Sequence, residues 1–174
     1  MPRRVGAWRR AMKRITREQL ETLSRQAARS ARRRANWNLH SNLDDPTQRF
    51  CNAMEPGTYV RPHRHEEAPP RWELFFAITG QALVVTFGHD GSLLTPASIG
   101  AEGPDYGIEI PVGVWHTVAS LKSGTVLLEI KPGPYVPVTD KDFARWAPEE
   151  GHSACARLER WFREGTIGSH PPGA

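Results

Sequence analysis

Between Gly57 and His116 the chain carries two short constellations whose side chains have the types and spacing to share one metal ion. His63 and His65 stand two apart in Val60-Arg-Pro-His-Arg-His65. On a β-strand such residues project from the same face, so both imidazoles can enter one cavity. Glu73 follows on the apolar run Trp72-Glu-Leu-Phe-Phe-Ala-Ile78, with Gly80 beyond it, and Pro111-Val-Gly-Val-Trp-His116 is a turn that ends in a third histidine. A histidine pair alone is common on solvated strands; the glutamate and the turn give this pair its weight. Three imidazoles and a carboxylate form a mixed nitrogen and oxygen set for one divalent ion, and Fe, Mn, Ni and Zn all fit. Four such ligands leave two octahedral positions open, which marks a catalytic or ligand-binding ion over a closed structural one.

These residues resemble the two motifs of the cupin superfamily. Gly57, His63, His65, Glu73 and Gly80 fill the first motif, and Pro111, Gly113 and His116 fill the second. The chain departs from the pattern in three places. Seven residues separate His65 from Glu73, so Glu66 and Glu67 in that longer loop stand as alternative carboxylate ligands. Asp105 occupies the place of the second motif's leading glycine, and Ser120 that of its closing asparagine. The six-residue step from Glu73 to Gly80 favours Glu73.

A narrower resemblance, from about Met12 to Gly151, is to the WbuC family of cupin-fold metalloproteins. It is carried by Asn38-Leu-His40, Asp45-Pro-Thr-Gln-Arg49, Val60–His65, Trp72–Phe75, Glu109–His116, Gly133-Pro-Tyr135, Thr139–Phe143 and Trp146–Glu149. The resemblance implies one cupin-type antiparallel β-barrel (a double-stranded β-helix, or jelly roll) that binds a metal. It also implies a homodimer and an association with bacterial surface-polysaccharide metabolism. It fixes no reaction.

The grammar of the rest of the chain agrees with a mainly β fold. Thr16 and Gln19 form a capping box, and Leu20, Leu23, Ala27 and Ala31 recur at helical spacing, so a helix is expected over 17–33. From Asp45-Pro46 onward, short β-prone runs alternate with Gly80, Asp90-Gly91, Pro111–Gly113 and Ser123-Gly124. The expected strands are 48–53, 59–64, 72–78, 82–87, 92–97, 106–110, 115–120 and 125–131, as in an antiparallel barrel. A proline-rich stretch at 132–137 should wrap the barrel, and a short helix is expected over 153–163. The expected organisation is a leader over 1–14, a single domain over 15–166 and a frayed tail over 167–174.

Charge is divided along the chain. Residues 1–34 hold twelve basic side chains against two acidic ones, while the remainder holds eleven against seventeen. The formal +4 therefore belongs to the N-terminal segment. A solvated helix face behind a basic leader explains this, and the stretch is too short for a helix-turn-helix, so nucleic acid is not an expected partner. No apolar run approaches the roughly 20 residues of a membrane span. Two cysteines, Cys51 and Cys155, make no disulfide framework and fit a reducing cytoplasm.

Further polar residues are candidates for the pocket. Arg61 shares parity with His63 and so points toward an anionic or hydroxylated ligand, with a strand-end ion pair as the equal alternative. Glu109 is a candidate acid/base, or else an arginine partner. Asn38 and His40 are candidate pocket caps through the family resemblance, or else turn formers between helix and strand, and Tyr59 is a candidate ligand contact or a core residue. The leading expectation is a metal-dependent isomerase or epimerase acting on a sugar or nucleotide-sugar-related small molecule. An Fe(II) dioxygenase and a non-catalytic metal-dependent binding module are the alternatives.

Overall fold

The computed structural model describes residues 12–65, 69–135 and 142–173. Its first element is α1 (Arg17–Arg29), begun by Thr16, whose hydroxyl accepts from the Gln19 amide while the Gln19 side chain accepts from the Thr16 amide. That reciprocal box satisfies two of the otherwise orphaned donors at a helix start. The helix ends four residues before the expected 33, because Ser30 turns extended and Arg33 adopts a positive φ of 55°. This reversal feeds a strand that the periodicity did not announce, β1 (Arg34–Asn38).

The remaining strands are β2 (Thr47–Met54), β3 (His63–Arg64), β4 (Glu73–Thr79), β5 (Gln81–Phe87), β6 (Leu93–Gly100), β7 (Gly107–Ile110), β8 (Trp115–Ser120), β9 (Thr125–Pro132) and β10 (Asp142–Phe143), followed by α2 (Cys155–Glu164). They form two five-stranded antiparallel sheets with orders β1-β2-β9-β4-β7 and β10-β3-β8-β5-β6. From β2 to β5, and again from β6 to β9, each strand lies in the sheet opposite its predecessor, as jelly-roll topology requires. The class is thus mainly β with a helix at each end. The sheets pack face to face and, among the described residues, are not hydrogen-bonded into a closed barrel. The expected strand over 59–64 is reduced to two residues, since 59–62 make no ladder.

Gly80 shows how a motif glycine serves this topology. It is the single residue between β4 and β5, which belong to different sheets. Its φ is +70°, and a Cβ there would lie 2.7 Å from the Thr125 Cα. Only glycine turns so sharply against a neighbouring backbone.

The molecule is layered helix, sheet, sheet, helix. Between the sheets lie Met54, Phe75, Val84, Ile99, Val118 and Leu127. On the outer face of the first sheet, α1 packs Leu20, Leu23 and Ala27 onto Cys51, Ala53, Val126 and Trp37. On the outer face of the second, α2 packs Leu158 and Phe162 against Leu83, Val85 and Phe87. Strand β5 is therefore buried on both faces, which is why its sequence is a continuous apolar run rather than an alternation. The tail expected to fray from 167 is instead tied to β6. Gly168 donates to the Leu93 carbonyl, the Leu93 amide donates to Ser169, and Trp161 Nε1 donates to Ser169 Oγ. Residues 1–11 of the expected leader lie outside the described residues.

Leu23 is 4% exposed, so Leu23→Ala should cost about 2–5 kcal/mol and shift the denaturation midpoint clearly. Thr16→Ala removes only the cap and should cost about 1 kcal/mol. Equal effects in a denaturant series would mean that α1 is held by its cap and not by its buried face.

Candidate metal centre

The four expected ligands converge from both sheets. His63 from β3 lies directly across from His116 on β8, so their side chains share the inner face of the second sheet. His65 follows β3, and its carbonyl accepts from the Gly113 amide, which ties the histidine pair to the Pro111–Gly113 turn before His116. Glu73 enters from the opposite sheet as the first residue of β4. All four are buried, and one ligand atom from each lies within 4.8 Å of the others. Glu66 and Glu67, the alternative carboxylates, lie outside the described residues.

Hydrogen bonds set the rings for a cation. His63 Nδ1 lies 2.9 Å from the Arg61 carbonyl and His116 Nδ1 lies 2.8 Å from the Val114 carbonyl. A carbonyl only accepts, so both Nδ1 atoms carry hydrogens and the Nε2 lone pairs face the cluster. His116 Nε2 in turn sits 2.9 Å from Glu73 Oε2, and His65 Nε2 sits 3.4 Å from the same oxygen. A divalent ion at this point would accept both the Nε2 lone pairs and the Glu73 carboxylate. The donor set, with the carbonyls that orient two of its rings, therefore fits a divalent metal.

Burial by itself pushes the Glu73 carboxyl up. The Lys131 ammonium, 3.7 Å from Glu73 Oε1, outweighs it together with the hydrogen bonds from His116 and His65, and holds the group well below the usual carboxylate range. Lys131 also lies 3.7 Å from Glu129 Oε1, and both residues are almost fully buried. Neither was anticipated. Strand β9 reads Thr-Val-Leu-Leu-Glu-Ile-Lys-Pro, and its buried parity carries Leu127, Glu129 and Lys131 to the inner face. Two opposite charges sharing the core parity of a strand were the available signal.

The group opens into a cavity of about 450 Å³. Arg61, Asn38 and His40 line it, and so do Glu129, Lys131, Arg34, Asn36 and Asn52. Arg61 donates through Nε to the Ala147 carbonyl and stacks over Phe143. Two expectations are corrected. Glu109 is exposed and pairs with Leu74, one position out of phase with Ile110 opposite Glu73, so it faces away from the cavity. Tyr59 is buried in the core under the second sheet, stacked on Phe162 and donating to the Pro148 carbonyl.

Comparison with known proteins locates the fold. CapF of Staphylococcus aureus, a capsular polysaccharide assembling protein, matches with a TM-score of 0.51 and 18% identity over 62% of this chain and 31% of its own. The fold is that of the cupins. KdgF from Halomonas sp. matches at a TM-score of 0.46 and 14% identity, over 60% of this chain and 82% of its own. Oxalate decarboxylase from Bacillus subtilis matches at 0.48 and 15%, over 63% of this chain and 27% of its own. The chain thus spans under a third of both CapF and the decarboxylase. Residues 15–99 also match a family described as a domain of unknown function, DUF6016. No curated protein matches the sequence.

Titration with Mn(II) or Zn(II) should bind one ion per chain and, at a hundredfold excess over Kd, add about 2.7 kcal/mol of stability. For a domain of this size that is a rise of roughly 5–10 °C in melting temperature. The His63→Ala/His65→Ala variant should lose the rise and Glu109→Ala should keep it; the reverse pattern in a thermal melt places the ion elsewhere.

Proposed function

We propose that the protein is a metal-dependent cupin enzyme of the WbuC type that isomerises or epimerises a sugar-related small molecule in surface-polysaccharide metabolism. His63, His65, Glu73 and His116 hold one divalent ion. The observation that carries the reading is the buried Glu129 and Lys131 pair, which lines the same cavity beside Glu73. Isomerisation needs a group that moves a proton and a fixed positive charge near the oxygen that gains electron density. The bound ion supplies Lewis-acid polarisation of a substrate carbonyl or hydroxyl. Glu129 takes the proton from the adjacent carbon and returns it. Lys131 Nζ, held between two carboxylates, steadies Glu73 and donates toward the substrate oxygen. The WbuC resemblance supports the assignment because Asn38, Arg61 and His116, which belong to its motifs, line the cavity.

The test is turnover of a panel of sugar phosphates and nucleotide sugars in deuterated water with metal-loaded protein. Solvent deuterium should enter the product, and Glu129→Gln should lower kcat by about 10²–10⁴-fold with metal content unchanged. Oxygen consumption instead of deuterium incorporation would replace this reading with the dioxygenase.

We also propose a homodimer in the cytoplasm. The free thiols of Cys51 and Cys155 support a reducing compartment. On the outer face of β4 and β7, α1 covers Ile78, whereas Phe76 and Tyr106 stack on one another while 45% and 55% exposed. An apolar pair of that exposure favours a two-fold contact. Light scattering should give twice 19.5 kDa, and Phe76→Glu should return the species to 19.5 kDa. A wild-type species of 19.5 kDa rejects the dimer.

A further inference from the structure

The cavity wall away from the histidines is unlike the inside of a sheet sandwich. Facing inner surfaces of packed sheets are normally apolar. Here β1 and β2 present Asn36, Asn38 and Asn52 to the cavity. The register accounts for the grouping, since Asn36 lies opposite Asn52, with Asn38 two residues along the same face. The intervening Ala35 and Trp37 pack toward α1. Asn36 donates to Asn38 at 2.8 Å, and Asn52 donates to Glu129 at 3.4 Å. Each side-chain amide has two N–H donors and a two-lone-pair carbonyl, so these contacts use only part of their capacity. Asn36 and Asn38 remain exposed on the cavity side, a paired donor and acceptor pattern suited to hydroxyl groups.

Charge around the cavity is distributed in a way that singles out Arg61. Arg34 is engaged by Glu150 and donates to Thr58 and the Tyr59 carbonyl. Lys131 sits between Glu73 and Glu129. The carboxylate near Arg61 is that of Glu149, 3.9 Å away and 87% exposed, so water screens it. The Arg61 guanidinium is nevertheless fixed in orientation. Its Nε donates to the Ala147 carbonyl at 3.0 Å and its carbon lies 5.0 Å over the Phe143 ring. A guanidinium pinned through Nε keeps its terminal nitrogens for a forked, two-bond contact with a carboxylate or phosphate. The Phe143 ring under this guanidinium lies 6.2 Å from the His63 ring, so the anion site adjoins the four-residue cluster.

We propose that the cavity takes an anionic, polyhydroxylated small molecule, with its carboxylate or phosphate on the terminal nitrogens of Arg61 and its hydroxyls on Asn36, Asn38 and Asn52. The hydroxyl-binding part rests on the sugar reading of the site; the anion subsite rests on the placement of Arg61. The test is calorimetric titration of Mn(II)-loaded protein with glucose, glucuronate, glucose 6-phosphate, acetate and inorganic phosphate. At least one anionic sugar should bind ten times more tightly than glucose, and the tighter of the two identifies the acidic group. Arg61→Gln should bring that sugar to the level of glucose, and Arg61→Lys should restore part of the gap, both with metal content and melting temperature retained. Asn36→Ala and Asn38→Ala should weaken the sugars severalfold but leave acetate and phosphate alone. Glucose binding as tightly as both anionic sugars, or anionic affinity unchanged in Arg61→Gln, overturns the anion subsite while leaving the sugar reading in place. Arg61-dependent binding of acetate or phosphate without any sugar keeps the subsite and rejects the sugar reading. Silence from every probe rejects both.

Discussion

A carboxylate buried between two sheets governs how the rest of this protein is arranged. Glu73 is 1% exposed, and an ion so far from water carries a penalty of several kcal/mol unless opposite charge and hydrogen bonds surround it. The compensation comes from separate parts of the chain. His65 and His116 reach Glu73 Oε2 from the second sheet, while Lys131 approaches Oε1 along the first. None of these groups would be tolerated in the interior alone. Together they form a buried polar unit with room for a divalent cation at its centre.

That requirement explains the division of labour between the sheets. The histidines belong to the second sheet and the acid to the first, so the centre can form only when the two faces are packed. The packing is enforced away from the site. The apolar cluster of Phe75, Val84, Val118 and Leu127 holds the inner faces together, and each helix covers an outer face. The lower interior therefore supplies the hydrophobic stabilisation, which frees the mouth of the sandwich to be polar. Inner-face strands change character along their length accordingly. On β9, Leu127 belongs to the core while Glu129 and Lys131, farther along the same face, belong to the cavity.

The arrangement also separates rigidity from ligand access. Backbone carbonyls of Arg61 and Val114 fix two of the imidazoles, and the Gly113 amide fixes the carbonyl of His65. The groups left with spare hydrogen-bonding capacity lie on β1, across the cavity, and at Arg61, beside the histidines. A candidate metal-binding group held by main-chain contacts, facing adaptable side chains, is the division expected of a site that binds a small polar molecule.

Much of this was legible in the residues themselves. The His-x-His pair, Glu73, Gly80 and the turn before His116 identify the candidate ligands because strand parity and turn chemistry are local properties. The helices and most strands follow from caps, apolar periodicity and turn residues for the same reason. Closeness in sequence to the ligands misled where no register was known. Glu109 had the composition of an acid near the site, but its pairing with Leu74 turns it outward, and Tyr59 lies in a segment that is not a strand. Strand β1 went unseen because its alternation of Arg34, Asn36 and Asn38 with Ala35 and Trp37 has meaning only once α1 covers one face and the cavity opens on the other. Glu129 and Lys131 were likewise invisible as site residues, since more than fifty residues separate them from Glu73 and only the alignment of β9 with β4 brings them to it. Sequence alone determined the candidate ligand types and the local elements, through short-range stereochemistry. The tertiary structure decided which polar side chains share the cavity, because that depends on strand register between segments distant along the chain.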